Sequence, residues 1–391
     1  MHRGPDGVIR GRGKVTWCLK LKCVYPCNQR ESNSRAQRKP GGKSTIVPPE
    51  LPQPHFTGAT GYIGGSLLAR LLWHKNAASS HITVLVRSED KAQKLQLFGV
   101  DTIIGSYTDE DLTFLTDAAA KSDIVFSLVD ADNLPPSKAI LDGLKLKYEA
   151  FGKPPVLIHT SGTGFVMSSD IRGLADEDIP FSDLDVEKLA AIPKTALHQH
   201  VDVPIFEADK AGYVRAYIVT PGTVFGYPVG PFVDIGIQNL HSVSLPFLIE
   251  AAIRRKQGGY FGQGLNKWPL VDVEDTADLY LLLFEAIQAN PNGVPSGYYF
   301  AENGEYTSIE LAAAISDALV DLGVGSTREP STFTIEEEGS KVFESVRQYF
   351  GTNCHPKADR ARALGWKPKA GKTEFLENAK AEAKFYVQQP Q

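Results

Sequence analysis

The chain has 391 residues, 42% of them hydrophobic, so it is long enough to bury a sizeable core and to form either two domains or one large α/β unit with an appended part. Its formal net charge of −5 gives no reason to expect nucleic acid or an anionic membrane as a partner. No apolar run reaches about 18 residues, which predicts that no helix crosses a membrane.

Charge and cysteines set the first fifty residues apart. Residues 1–50 carry 11 Lys/Arg against 3 Asp/Glu, a net charge of +8, whereas the remainder carries 30 against 43, a net charge of −13. Cys18, Cys23 and Cys27 lie in this leader in a C-x4-C-x3-C spacing that is a poor zinc pattern, so we expect no metal. Cys354 is the one cysteine after residue 50, which indicates a reduced, intracellular protein and favours the cytoplasm.

The leader, residues 1–54, has no apolar period and is rich in Gly, Pro and basic residues, which favours disorder. Two alternatives are a mitochondrial presequence, which would change the expected location, and an artefact of the gene model. Prolines continue up to Pro54, and proline is excluded from central strands. Only His55, Phe56 and Thr57 remain for the first strand, so we expect that strand to be truncated or replaced.

A glycine-rich turn follows at residues 57–65, with a G-x-x-G-x-x-G spacing, an amphipathic helix after it and a second apolar strand at 81–86. Glycines let the backbone approach a pyrophosphate, whose charge then lies against the N–H groups that open the helix. The pattern predicts a dinucleotide-binding βαβ unit. The residues expected to bind the cofactor here are Gly58, Ala59, Thr60, Gly61, Tyr62, Ile63 and Gly64.

Helices and strands then alternate, which predicts an α/β fold with a doubly wound, Rossmann-type parallel sheet. Strands are predicted at 100–106, 123–129, 155–162, 214–219 and 298–300. Helices are predicted at 91–97, 109–120, 136–150, 203–211, 244–255, 275–289 and 308–322, the last capped by Ser308. We assign residues 55–230 to a Rossmann domain and 231–391 to a mixed α/β substrate part, of which 270–290 packs back on the Rossmann domain.

The residue at the end of the second strand bears on cofactor choice. NAD-binding proteins usually place Asp or Glu there to accept the ribose 2′-OH. This chain has Arg87 followed by Ser88, and a guanidinium forks onto phosphate oxygens. NADP is therefore the preferred cofactor, and NAD is the alternative.

Four motifs in order resemble the extended short-chain dehydrogenase/reductase family, which includes sugar-nucleotide epimerases, dehydratases and dihydroflavonol-type reductases. They are the glycine turn, the strand end Thr160-Ser161, the segment Pro221-Gly222-Thr223-Val224-Phe225-Gly226 and the closing Leu364-Gly365-Trp366-Lys367-Pro368. Residues 271–275 also look like the family's V-H-V-x-D segment. The resemblance covers about residues 55–370, and it implies that Thr160 and the stretch Pro221, Gly222, Thr223 and Val224 border the cofactor.

The family's catalytic Tyr and Lys, spaced Y-x-x-x-K, are missing, because none of the 14 tyrosines has a lysine four residues later. The resemblance aligns His198 with the tyrosine and Asp202 with the lysine, and it matches Ser161 with the serine that hydrogen-bonds the substrate oxygen. Imidazole titrates near neutral pH, so His198 could exchange the proton while Asp202, one helical turn on, orients it. The alternative is that both are surface residues of a helix without catalytic duty.

Three functions remain open. The leading one is an atypical NAD(P)-dependent oxidoreductase for a carbonyl or alcohol group of a small organic substrate, monomeric or homodimeric, with Asp130 and Asp132 either binding substrate hydroxyls or lying in a solvated loop. The second, prompted by the missing Tyr and Lys, is a non-catalytic NADP-binding redox sensor or scaffold. Sugar-nucleotide epimerase or dehydratase chemistry ranks below both, because it needs the missing tyrosine and no basic cluster for a diphosphate stands out after Gly230.

Overall fold

The structure, a computed structural model, describes residues 53–74, 81–170, 172–334, 337 and 349–389. The predictions for residues 1–52 lie outside this range. The described residues all fall within one compact unit, Glu50–Gln391. None of the helices in these ranges is both long enough and apolar enough to cross a bilayer.

The strands and helices are numbered separately in chain order. Strands β1 to β14 span Pro54–Thr57, Thr83–Val86, Asp101–Ile104, Ile124–Ser127, Val156–Thr160, Phe181–Ser182, Arg215–Pro221, Thr223–Phe225, Gly259–Tyr260, Lys267–Asp272, Gly297–Ala301, Glu305–Thr307, Ser331–Thr332 and Pro356–Lys357. Helices α1 to α12 span Tyr62–Trp73, Glu89–Gln96, Thr113–Ala120, Leu134–Phe151, Val186–Ala190, Gln199–Lys210, Pro231–Asp234, Ser244–Arg255, Val273–Ala289, Ser308–Asp321, Asp359–Ala363 and Lys372–Val387, with a 3₁₀ turn at Thr163–Val166.

Seven parallel strands form the main sheet in the spatial order β11-β7-β5-β4-β1-β2-β3, which confirms the predicted fold class. Strands β1, β4 and β5 are buried along their whole length, as strands are when helices cover both faces of a parallel sheet. Strand order reverses between β1 and β4, and ligands of such sheets bind at the carboxyl ends of the strands at this reversal.

The first strand is complete, so the interpretation that it is truncated or replaced is wrong. It has four residues, as do β2, β3 and β4, and all four are buried. Pro54 is its first residue, a position where a strand tolerates a missing N–H. Phe56 pairs in register with Phe126, and their rings stack with centroids 4.4 Å apart. This contact anchors the strand that carries the glycine turn.

The N-termini of three helices depart from their predictions, and the first of these helices, α3, begins at Thr113, four residues later than predicted. Helix α6 begins at Gln199, four residues earlier than predicted, because His198 caps it with a left-handed backbone, φ 65°. Helix α10 is capped by Thr307 and not by Ser308, since Thr307 and Glu310 form a reciprocal capping box. In α6 and α10 the capping residue lies before the periodic apolar residues from which the helix is predicted.

The C-terminal part is built into the nucleotide-binding part. Strand β11 pairs with β7 at the edge of the main sheet. Helix α9 lies against α1, where Arg70 bridges Glu274 and Asp278 at 2.7 Å each. The 271–275 motif also meets the closing motif, because the Trp366 indole N–H donates to the Asp275 carbonyl at 2.8 Å. Both motifs thus join the second half of the chain to the helix layer of the sheet.

Candidate active site and cofactor cleft

The glycine turn connects the carboxyl end of β1 to α1 by contacts that only glycine allows. Gly58 has φ 79°, and a Cβ there would lie 2.0 Å from the Leu128 carbonyl oxygen. A Cβ on Gly64 would lie 2.1 Å from the Gly58 oxygen, and Gly61 donates its N–H to that oxygen at 2.8 Å. The first turn of α1 therefore sits close to the strand end, with N–H groups that have no intrahelical acceptor. This geometry suits a pyrophosphate.

Two cations lie beside the turn at the end of β2. Arg87 is exposed, and Lys91 donates to the Thr60 hydroxyl at 3.2 Å. Burial, and after it the charge of Arg87, lowers the pKa of Lys91. Ser88 caps α2 by accepting the Lys91 N–H at 3.4 Å. The sequence reasoning missed Lys91, although its place one helical turn after Arg87 was a usable signal.

The connection between β8 and α8 covers the other side of the turn. Asn239 donates its N–H to the Thr60 carbonyl oxygen at 3.0 Å, and the Gln238 amide donates to the Tyr62 carbonyl oxygen at 3.0 Å. The Tyr62 hydroxyl donates to the Gly226 carbonyl, and burial raises its pKa, so it remains neutral. Of the other predicted cofactor residues, Ala59 is fully buried and Ile63 packs against the core.

Ser161 follows β5 at the same edge of the sheet and belongs to a buried polar network. Its hydroxyl donates to Asp202 Oδ2 at 2.8 Å, and the Tyr298 hydroxyl donates to the same oxygen at 3.0 Å. Gln199 in turn donates to the Tyr298 oxygen at 2.6 Å. The sequence analysis predicted neither Tyr298 nor Gln199. Tyr298 comes from β11, 99 residues after Gln199 along the chain.

Asp202 is fully buried, so it is not the surface residue of the alternative interpretation. Burial raises its pKa to about 6, although the hydrogen bonds from Ser161 and Tyr298 lower it. His159 Nε2 lies 3.9 Å from Asp202 Oδ1, and neither atom has a hydrogen-bond partner among the residues that the structure describes. Burial lowers the pKa of His159 to about 3, so this histidine is neutral and the contact is not an ion pair.

His198 is also buried, with 8% of its surface exposed, and its ring lies against Gly162, the residue after Ser161. Its Nδ1 lies 2.8 Å from Asp132 Oδ1, and the hydrogen bond lowers the pKa of Asp132. A Cβ on Gly162 would lie 2.8 Å from His198 Nε2, so that nitrogen reaches the residue next to Ser161. The left-handed backbone of a non-glycine residue is strained, and such strain concentrates at functional sites.

The predicted partner of His198 is therefore wrong. Asp202 bonds to Ser161 and Tyr298, while Asp132, from the loop after β4, holds the imidazole. Asp132 also accepts a hydrogen bond from His200 through its carbonyl oxygen, at 2.8 Å. A residue 66 positions earlier in the chain thus does what the local spacing predicts for Asp202.

The segment expected to border the nicotinamide is fixed between the sheet and the C-terminal part. Pro221 ends β7, and Gly222 donates its N–H to the Ala301 carbonyl at 3.0 Å. The Thr223 hydroxyl pairs with the buried Tyr306 hydroxyl at 3.0 Å. The Thr160 hydroxyl likewise pairs with a buried tyrosine, Tyr280, at 2.6 Å. Both threonines thus use their hydroxyls inside the protein. Val224 is half-buried and belongs to β8.

A cavity of about 300 Å³ lies next to Thr223. Its other walls come from the start of α8, from β10 and from residues 349–350. The lining side chains are Thr223, Val243, Ser244, Phe247, Trp268, Tyr349 and Phe350. The indole N–H of Trp268 donates to the Thr352 carbonyl at 2.8 Å. The Cys354 thiol, in the same segment, donates to the Thr163 carbonyl just after Ser161, at 3.3 Å.

Comparisons with known proteins agree with this architecture. An NAD-binding family model described as "Male sterility protein" matches residues 56–108. "Oxidase ucsJ" from Acremonium sp is 30% identical over 332 residues, which cover 80% of this chain and 91% of that protein.

Two solved structures share the fold. UDP-glucose 4-epimerase from Thermotoga maritima, solved with UDP-glucose, superposes with a TM-score of 0.56 at 15% identity, covering 86% of this chain and 100% of that one. UDP-glucuronic acid 4-epimerase from Bacillus cereus, solved with UDP-glucuronic acid and NAD, has a TM-score of 0.56 at 15% identity, covering 85% of this chain and 99% of that one. At this identity the likeness establishes the fold alone.

Proposed function

This chain belongs to the extended short-chain dehydrogenase/reductase-like family, and we propose that it is an NADP-dependent oxidoreductase interconverting a carbonyl and an alcohol on a small organic substrate. The observation that carries the proposal is the pair of His198 and Asp132 beside Ser161, at the place where the resemblance puts the family's tyrosine. An imidazole, which can both donate and accept a proton, lies there in this chain, and this supports the proposal.

The cleft fits a nicotinamide dinucleotide. The glycine turn leaves room for backbone approach and presents helix N–H groups, as a pyrophosphate requires. Arg87 and Lys91 supply two cations beside the turn, and we propose that they bind the 2′-phosphate of NADP, with NAD as the weaker alternative. A bound nicotinamide would supply or accept the hydride, and the protein side chains handle the oxygen and the proton.

His198 is the proposed proton donor and acceptor. The ionised Asp132 favours a proton on Nδ1 of His198. The other ring nitrogen, Nε2, can then exchange a proton with the substrate at the end of β5. In carbonyl reduction a protonated Nε2 donates to the developing alkoxide oxygen. In alcohol oxidation a neutral Nε2 accepts the hydroxyl proton.

Ser161 and Asp202 position the reacting oxygen. When Asp202 is ionised, the Ser161 hydroxyl donates to it and offers its lone pairs to a substrate alcohol. When Asp202 is protonated it can donate to Ser161, whose own proton then points to a carbonyl oxygen. Because burial raises the pKa of Asp202 to about 6, alcohol binding through Ser161 is favoured above that pH and carbonyl binding below it.

The relatives support an oxidoreductase without naming its substrate. One relative is called an oxidase, and the structural neighbours are epimerases with far lower identity. We keep the non-catalytic NADP sensor as the second hypothesis, since the Tyr/Lys pair is absent. Epimerase chemistry ranks below both.

The test compares the full chain with His198→Gln in NADPH-dependent turnover of an aldehyde, ketone and alcohol panel. We expect kcat to fall by roughly 100-fold, since a positioned acid/base contributes about 10²–10⁴-fold, while NADPH affinity stays unchanged. His81→Gln is the matched control, because it makes the same substitution at an exposed histidine outside this network.

Equal turnover in the His198 variant and the wild type would remove His198 from the mechanism. Tight NADPH binding without hydride transfer to any member of the panel would refute the oxidoreductase and favour the sensor.

A further inference from the structure

The cavity beside Thr223 differs in chemistry from the polar strand-end network. We propose that it binds the body of the substrate and selects a neutral, largely apolar molecule of about two rings that carries the reacting carbonyl or alcohol. This inference rests on the proposed function, because it names the substrate class of the same site.

The walls offer ring surface and little polarity. Phe247, Trp268, Tyr349 and Phe350 contribute four aromatic side chains, and no described lining residue is charged. Aromatic walls favour ring-shaped ligands, because offset and edge-to-face ring pairs add to the energy of area burial.

The polar groups of two lining residues are already used by the protein. The Trp268 indole N–H is bonded to Thr352, and the Thr223 hydroxyl is bonded to Tyr306. A sugar or a phosphate in the cavity would lose hydration without receiving these bonds, and a buried polar group without a hydrogen-bond partner is unfavourable. An apolar ring loses nothing comparable.

The volume sets the size of the occupant. A dry cavity of about 150 Å³ lined by apolar side chains binds one benzene ring. The cavity here is about 300 Å³, so about two rings fill it. A nucleoside diphosphate sugar is several times larger than one ring and carries two negative charges that these walls do not neutralise.

The cavity is connected to the reaction site through both of its flanking segments. Thr223 comes two residues after Pro221, at the end of β7, and β7 accepts the Ser161 N–H through the Val219 carbonyl at 2.9 Å. On the other wall, the segment after Phe350 is tied to the turn that follows Ser161 through Cys354 and Thr163. In the proposed binding mode, the substrate body fills the cavity and its oxygen lies at the Ser161 edge of the sheet.

The experiment measures binding of 2-acetylnaphthalene, acetone and UDP-glucose to the full chain by calorimetry, in the presence of NADP⁺, which cannot reduce the ketones. We expect the naphthyl ketone to bind at least about tenfold more tightly than the other two. Phe247→Ala should weaken that binding by roughly 10- to 100-fold, since even one methylene in a hydrophobic pocket is worth about 10- to 200-fold. Glu250→Gln, on the exposed side of α8, is the control and should change nothing.

NADPH affinity checks that each variant is folded, and Tyr349→Leu is the second variant if Phe247→Ala fails this check. Tighter binding of UDP-glucose than of the naphthyl ketone, or an unchanged affinity in both cavity variants, would overturn the inference. Binding without hydride transfer from NADPH would support the cavity and refute the oxidoreductase. Hydride transfer to acetone and the naphthyl ketone with equal kcat/KM would support the oxidoreductase and overturn the cavity.

Discussion

The family resemblance aligns His198 with the family's catalytic tyrosine, and in this structure Asp132 holds its imidazole. The family's lysine cation lowers the pKa of its tyrosine, whereas a carboxylate such as Asp202 at that place would raise it. Tyr298 does not replace the lost tyrosine, since burial and then the charge of Asp202 raise its pKa. An imidazole held by Asp132 avoids this conflict, because the carboxylate supports the protonated ring.

The proposed preference for NADP rests on two side chains, Arg87 and Lys91. Replacing both Arg87 and Lys91 with Ala should weaken NADPH binding by about 10- to 100-fold, because a hydrogen bond to a charged group contributes about 1.5–3 kcal/mol. NADH affinity should hardly change, since NADH has no 2′-phosphate. The measurement is a fluorescence titration with both cofactors.

The control for this pair is Lys94→Ala, which removes a cation on the same helix that pairs with Asp90 at 2.9 Å. An equal loss of NADPH and NADH affinity in the double variant would show that the two cations do not bind the 2′-phosphate.

At the scale of elements, three segments after β5 meet at one buried histidine. His355 Nδ1 lies 2.8 Å from Glu305 in β12, and Nε2 lies 2.9 Å from Asp176 in the loop before β6. Asp178 is 3.7 Å away, and its carboxylate also pairs with Lys267 of β10. Because both ring nitrogens face carboxylates, the contacts are best satisfied by the imidazolium. Burial acts to lower the pKa of His355, but Glu305 and Asp176 outweigh it and raise the pKa.

This cluster predicts a pH-dependent stability. A raised histidine pKa stabilises the folded chain fully below the unfolded value near 6.5, and the contribution is lost as pH rises through the higher folded value. The difference in Tm between the wild type and His355→Gln should therefore be largest near pH 6 and shrink toward pH 9. Thermal melts across that range measure it.

His81→Gln provides the control, because it makes the same substitution at a histidine whose side chain is exposed to solvent. A Tm difference for His355→Gln that is the same at pH 6 and pH 9 would mean that His355 contributes packing and not charge.

At the scale of the whole molecule, the second half of the chain completes the first. Strand β11 extends the main sheet, Tyr298 from that strand enters the Ser161 network, and the Trp366 indole N–H donates to the Asp275 carbonyl at 2.8 Å. The reaction site therefore depends on residues from both halves.

The opposite end of the chain gives a truncation prediction. A chain that begins at Glu50 keeps β1 intact and serves as the reference. One that begins at Phe56 lacks Pro54 and His55, which pair with Ile124 and Val125 of β4. Its Tm should fall by several degrees, at about 2–4 °C per kcal/mol lost. Differential scanning calorimetry compares the two; equal Tm values would mean that the first half of β1 is dispensable.

Regular elements were predictable where the apolar period is long. The helix at 244–255 and the strands at 123–129 and 155–162 were found within two residues of their observed ends, because burial imposes that period on the sequence. The length of β1 and the start of α6 were missed. Strand β1 begins on a proline, and the neighbouring strands hold it in the sheet. Helix α6 begins after a left-handed histidine, whose ring is held by the distant Asp132.

The sequence by itself determined the parallel sheet, the glycine turn and the basic end of β2, because each rests on neighbouring residues with a fixed spacing. It also showed that no tyrosine has a lysine four residues later, and the family resemblance aligned His198 and Asp202 with that pair. Only the tertiary structure decided that Asp132 holds His198 and that Asp202 bonds to Ser161 and Tyr298. The physical reason is that these partners lie 41 to 96 residues apart along the chain and meet where separate strands and loops end at one edge of the sheet.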